Sequence, residues 1–132
     1  MPPFPPRAGA DSCAVVSPAP CGGAAAGPPV AAYFGGEQHH IDMLKNLDHF
    51  NASRPGNFSV FLWDSTGKST PLAVVKDTNA PSLTVYRVDI TIPKAAVAGN
   101  YIIQSVYNTN SPVHPQFVQC SDVQFLGPAP PQ

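Results

Sequence analysis

Charge is the scarcest property of this 132-residue chain: Asp, Glu, Lys and Arg make up 11% of it, and the formal net charge is −1. A footprint for nucleic acid or an anionic membrane needs clustered Lys and Arg, so binding by bulk electrostatics is excluded. Long apolar runs are also missing, and nothing approaches the ~18 residues that a membrane-spanning helix requires. Met1 is followed by Pro2 and Pro3 rather than by basic residues and an apolar stretch, so no signal peptide is expected at this end. The lack of a C-x-x-C pair speaks against a zinc knuckle or a thioredoxin-like site. There is no evident Ser-His-Asp or Cys-His constellation, and no close carboxylate pair of the kind glycoside hydrolysis uses. Gly67-Lys68-Ser69 resembles the end of a phosphate-binding loop, but Leu62 stands where that motif needs its first glycine, and no helix follows.

Helix patterning is sparse. Only residues 41 to 50 have helix-compatible spacing, and a strand competes well there. What the chain does have is proline: it carries 17 prolines and 10 glycines, most of them crowded into the first 36 residues and the last six. Proline cannot donate to a β-ladder, so both ends are expected to be extended or disordered. The organisation expected is a Pro/Gly-rich leader over 1–36, a packed core over 37–126 and a Pro-rich tail or linker over 127–132.

Within the core, short runs rich in Val, Ile, Tyr and Phe are bounded by Gly, Pro, Asn and Asp. They predict strands at His39–Leu44, Phe58–Trp63, Leu72–Lys76, Thr84–Ile92, Asn100–Tyr107 and Gln116–Phe125. Thr84–Ile92 has the clearest period of two, turning Tyr86, Val88, Ile90 and Ile92 inward and Val85, Arg87, Asp89 and Thr91 to water. Phe58–Trp63 is apolar on both faces, as a central strand would be, and Trp63 reads as core. Asp64-Ser65-Thr66-Gly67 reads as a hairpin turn. Val60, Leu62, Tyr86, Val88, Ile90, Tyr101 and Ile103 are the expected core. The fold class is all-β: an immunoglobulin- or fibronectin III-like sandwich of about seven strands.

Two triplets, Asn51-Ala52-Ser53 and Asn57-Phe58-Ser59, fit N-glycosylation of Asn51 and Asn57 and point to a secreted or cell-surface chain. Three cysteines leave one unpaired or paired outside the chain, and Cys13, in the leader, reads as the odd one out.

Two stretches carry a family likeness. The first is Pro5-Pro6-Arg7-Ala8-Gly9 followed by Ala19-Pro20-Cys21-Gly22-Gly23. The second is Gly99-Asn100-Tyr101-Ile102-Ile103-Gln104 followed by Phe117-Val118-Gln119-Cys120-Ser121-Asp122-Val123-Gln124-Phe125. Together they resemble the histidine-brace copper proteins, which share the lytic polysaccharide monooxygenase fold, and look most like the small fungal copper-acquisition branch. The resemblance implies a disulfide between Cys21 and Cys120. It also implies one copper ion held by the amino group and imidazole of a first mature histidine, plus a second imidazole from an inner loop. Met1-Pro2-Pro3 occupies the place of that first histidine, so copper is expected only if the mature N-terminus supplies one.

By the same resemblance His49 is matched to the second imidazole, Phe117 to the non-ligating axial position, and Asp122 to an acidic residue that completes coordination in some non-enzymatic relatives. Read from the residues alone, His49 is a surface histidine of a polar loop, Phe117 a core aromatic, and Asp122 a strand residue capping a turn or pairing with Arg7 or Arg87. His39 and His40 are adjacent, so a strand sends them to opposite faces and they cannot chelate one ion together. His114, in a proline-punctuated loop, reads as a plain surface residue.

Three functions follow as expectations. The first is extracellular copper handling without catalysis by a monomeric domain. The second is copper-dependent oxidation of a polysaccharide, such as one of the cell wall. The third is metal-free adhesion or carbohydrate binding. The shortness of the chain favours the first over the second, as does the scarcity of loop aromatics that could stack on sugar: Tyr33, Phe34, Phe50 and Tyr107.

Overall fold

The computed structural model describes residues 17–45, 48–113 and 115–131. Among them there are seven strands and no helix: β1 (Ala32–Gly35), β2 (Gln38–Leu44), β3 (Asn57–Trp63), β4 (Ser69–Lys76), β5 (Val85–Thr91), β6 (Gly99–Asn108) and β7 (Gln116–Pro128). Five strands form one sheet in the order β1-β7-β6-β3-β4, and β2 pairs with β5 in a second. The all-β sandwich is therefore present, and the helical alternative for residues 41–44 gives way to β2.

Alternation sets the core. In β5 every second residue is buried, with Tyr86, Val88 and Ile90 inward and Val85, Arg87, Asp89 and Thr91 outward. β2 lies antiparallel to it, pairing Ile41 with Val88 and Met43 with Tyr86, so both strands send apolar side chains to one side. Phe58, Val60 and Leu62 of β3, Ile103 and Tyr107 of β6, and Val123 and Phe125 of β7 meet them from the larger sheet. Six of the seven expected core residues are buried; Tyr101 is half-buried and packs on the cluster, its ring stacked 4.2 Å from Phe125.

The expected hairpin turn follows β3. Asp64 Oδ1 accepts hydrogen bonds from the backbone N–H groups of Thr66 and Lys68 and from the Thr66 hydroxyl, while Gly67 supplies the positive φ of 86°. β3 is bonded on both sides, to β4 and β6, as its two apolar faces suggest. Trp63 departs from expectation. It lies half-buried on the outer face of the large sheet and donates from Nε1 to Gln104 Oε1 at 3.0 Å.

Part of the presumed leader is structural. β1 adds to the edge of the large sheet parallel to β7, with Ala32 opposite Gln124 and Tyr33 opposite Phe125. An edge strand bonds on one side only, so a short strand among prolines can serve there. Gly35 is required at its end, because a Cβ would lie 2.7 Å from the Lys94 carbonyl oxygen. At the other end β7 runs through Pro128, into the residues expected to form the tail.

Cys21 and Cys120 form a disulfide with Cα atoms 5.7 Å apart. The segment around Cys21 is tied further to the outer face of the large sheet, since Gln104 Nε2 donates to the Pro20 carbonyl at 2.8 Å. This cover explains why β6 is buried on both faces over Gln104–Val106. Cys13 lies outside the described residues.

Candidate functional site

The inward face of β2 continues one residue past the strand. Ile41 and Met43 are buried, and the same alternation carries Lys45 into the interior, where it has no solvent exposure. Its ammonium has three donors and three acceptors: Asp48 Oδ1 at 2.7 Å, Asp77 Oδ1 at 2.8 Å and the Ala80 carbonyl at 2.8 Å. Burial works against the charge, but the hydrogen bonds to Asp48 and Asp77 outweigh it and hold the lysine above its ordinary range.

Asp77, directly after β4, is as enclosed as Lys45. Its Oδ1 also accepts from the Tyr86 hydroxyl at 3.3 Å and from the Asn79 N–H at 3.1 Å, while Oδ2 accepts from the Tyr107 hydroxyl at 2.7 Å. Burial opposes ionisation here too, yet the bonds from Lys45, Tyr107 and Asn79 prevail and the carboxyl is held below its usual range. Tyr107 moves upward, first through burial and then because its proton is held by Asp77. No buried side-chain nitrogen or oxygen among the described residues lacks a partner, as a charged network inside a core requires.

This network ends at His49. The His49 backbone N–H donates to the Tyr107 hydroxyl at 3.3 Å. On either side, Asp48 N–H donates to Ser82 Oγ at 2.9 Å and Phe50 N–H to Asp48 Oδ1 at 2.9 Å. The bond to Lys45 draws the Asp48 carboxyl below its ordinary range. The half-buried His49 ring lies 5.1 Å from that of Phe117, centroid to centroid, and 6.2 Å edge-on from that of Tyr107. Phe117 and Tyr107 are cross-strand partners on β7 and β6.

Asp122 is not brought to this place. It follows Phe117 by five residues in a continuous ladder, so it faces the opposite side of β7, ~17 Å along the strand. There it receives the Gly27 N–H on Oδ2 at 3.0 Å, and its carbonyl receives the Val30 N–H at 2.9 Å. Asp122 thus fastens the segment leading to β1. Arg87 instead reaches Asp42, at 3.4 Å, and Arg7 lies outside the described residues.

His39 and His40 do face opposite ways. The His39 ring lies tilted against that of Tyr33, centroids 4.4 Å apart, and bonds through Nε2 to Glu37 Oε2 at 2.7 Å. That bond, with one from the Phe34 N–H, pulls the Glu37 carboxyl down, and burial followed by the nearby Glu37 charge pushes the Tyr33 phenol up to about 12. His40 is exposed and stands opposite Asp89. His114 is outside the described residues. Asn51 is exposed in the turn after His49, and Asn57 opens β3 half-buried.

Of the four aromatics expected in loops, Tyr33 and Tyr107 are buried strand residues and Phe34 belongs to β1; Phe50 alone remains in a loop. Sequence reasoning also missed Lys45, Asp77 and the hydroxyl of Tyr107. The period of two through Ile41 and Met43 would have found Lys45, whereas Asp77 has no periodic signal.

The donor set decides how far this site fits copper. Cu(II) favours several nitrogen ligands in one plane. Here there is one imidazole, and the neighbouring Asp48 carboxylate is engaged by Lys45. Among the described residues no group of three His, Cys, Asp or Glu side chains could hold a metal ion. The described residues thus do not by themselves make a copper site.

No protein-family model matches the chain, and no curated protein matches it significantly. Among solved structures, entomopoxvirus fusolin, described for its enhancement of virulence and its crystallization into viral spindles in vivo, is similar at a TM-score of 0.52 and 14% identity, over 79% of this chain and 40% of that one. The chain thus spans two fifths of that relative's length, and the likeness is one of fold. The bacterial superantigen toxic shock syndrome toxin-1 aligns at a TM-score of 0.41 and 12% identity, over 74% of this chain and 94% of that one.

Proposed function

We propose that this chain is an extracellular, non-catalytic sandwich of the histidine-brace type that handles copper, with His49 as the one nitrogen ligand offered by the sandwich itself. The observation that carries the reading is the pairing of His49 with Phe117, their rings 5.1 Å apart. These two residues, distant in sequence, are the ones the family resemblance matches to the second imidazole and the axial position. The fold likeness to fusolin and the Cys21–Cys120 disulfide support the same reading.

In this reading His49 presents its imidazole, the Lys45–Asp77–Tyr107 network fixes the loop that carries it, and Phe117 flanks the ring without offering an oxygen. Bound copper would contribute a charge centre that accepts further nitrogen ligands. Those ligands must come from outside the described residues, which is why Cu(II) binding by the chain as written is expected to be weak. Handling is favoured over polysaccharide oxidation because Phe50 is the lone loop aromatic left near His49 for sugar stacking.

The test is a Cu(II) titration by calorimetry. A variant that begins with histidine just ahead of Pro5-Pro6-Arg7 should bind several orders of magnitude more tightly than the chain as written, and His49→Ala should abolish the gain. A variant that gains nothing, or that keeps its gain without His49, would leave metal-free adhesion or carbohydrate binding as the function. That alternative has its own support in the single imidazole and the engaged Asp48 carboxylate.

A further inference from the structure

We infer that, of the two Asn-x-Ser triplets, Asn51 carries an N-linked glycan and Asn57 does not, so that a sugar chain stands beside His49. The inference rests on the extracellular reading, since the modification belongs to the secretory route.

The two sites differ in what their side chains already do. Asn51 and Ser53 are both exposed, in a turn closed by the Arg54 N–H donating to the Asn51 carbonyl at 3.0 Å. Asn51 Oδ1 accepts from the Ser53 N–H at 3.0 Å and from the Ser53 hydroxyl at 2.7 Å, and among the described residues Nδ2 donates no hydrogen bond. Amide and hydroxyl therefore lie together at the surface, with the nitrogen available.

Asn57 is part of a sheet. It pairs in register with Lys76 on one side and Asn108 on the other, and its Oδ1 accepts from Asn108 Nδ2 at 2.6 Å and from Ser59 Oγ at 3.0 Å. Ser59 is only 7% exposed. The backbone is tight here as well, because a Cβ on the preceding Gly56 would overlap the Asn108 carbonyl. A sugar on Asn57 would have to be fitted against this half-buried cluster, and the folded sheet disfavours it.

The step is a transfer without oxidation or reduction. Asn51 Nδ2 forms a bond to the anomeric carbon of an oligosaccharide carried on a lipid pyrophosphate. The carbon–oxygen bond to the pyrophosphate breaks, the lipid pyrophosphate leaves, and the amide nitrogen gives up one proton. The product stands two residues from His49, where a branched, hydrated chain obstructs a flat polymer but not an ion.

The full chain, secreted from a eukaryotic host behind a cleavable signal peptide, provides the test. Glycosidase release in 18O-labelled water marks each modified asparagine for peptide mass mapping. The Asn51 peptide should be labelled and the Asn57 peptide unlabelled, and both Asn51→Gln and Ser53→Ala should remove the glycan mass from the intact protein. Label at Asn57, or none at Asn51, overturns the inference. Because the signal peptide ensures entry to the route, such a failure is separate from a failure of the extracellular reading, which is judged by where the native chain is found.

Discussion

The Tyr107 hydroxyl donates its proton to Asp77 Oδ2 at 2.7 Å, inside a core where the Asp77 side chain has no solvent exposure. The Tyr107 hydroxyl oxygen in turn accepts the His49 N–H, so a buried carboxylate and the loop that carries His49 are joined through one atom. Substituting Tyr107 with Phe removes that joint while keeping the ring. Leaving the Asp77 oxygen short of a partner should cost about 1–3 kcal/mol. Hydrogen exchange read by NMR should show the His49 amide exchanging faster than the amides of β5, beyond the change due to global stability. Unchanged relative protection at His49 would mean that the loop is held elsewhere.

Asp77→Ala should be far more damaging than its size suggests, because it takes from the buried Lys45 charge its one fully enclosed carboxylate partner and leaves only Asp48, at the edge, and the Ala80 carbonyl. Removing one partner of a buried pair costs about 3–5 kcal/mol, and urea denaturation would register it. The pH dependence follows with a definite sign. Asp77 is held below its ordinary value, so its contribution is present above the unfolded value of ~3.9 and is lost as pH falls through the folded one. Lys45 is held above its ordinary value, so its contribution is present below ~10.4 and lost as pH rises through the folded one. Wild-type stability should therefore fall in acid more steeply than that of Asp77→Ala, and a parallel pair of curves would contradict this account.

The disulfide spans a sequence separation of 99 residues. In the chain-entropy description a loop of this size stabilises by about 4–5 kcal/mol, chiefly through the unfolded state. Replacing Cys21 and Cys120 together with serine should lower the urea midpoint accordingly. A native-like midpoint in the double variant would show that the Pro20 and Asp122 contacts suffice without the covalent bond.

Ile90 is 3% exposed on the inward face of β5. Truncation to alanine removes burial and leaves a cavity, at a cost of about 2–5 kcal/mol in thermal or chemical unfolding. Val85→Ala, on the outward face of the same strand, should stay within about half a kcal/mol.

Legibility in the sequence followed periodicity. Thr84–Ile92 announced both its strand and its faces, because alternate burial is written directly into residue type. β1 was hidden because its pairing depends on β7, about ninety residues away, and nothing local distinguishes Ala32–Gly35 from the proline-rich residues before it. At the site, His49 and Phe117 were singled out through family resemblance and are neighbours here, while Asp122 was singled out the same way and faces the other side of the strand. Parity along β7 already contained that answer, since positions 117 and 122 differ by an odd number. Asp77 could not be read ahead, because a buried carboxylate is defined by partners gathered from β5, β6 and the end of β2.

Strands β1 to β6 all lie between Cys21 and Cys120. If the chain were pulled from sites on either side of that pair, tension would pass through the sulfur–sulfur bond and bypass the enclosed strands. The Lys45 network and the His49 loop would then keep their geometry under load, and only the end of β7 beyond Cys120 would be free to peel. Reduction of that one bond would be what separates a mechanically sheltered fold from an extensible one.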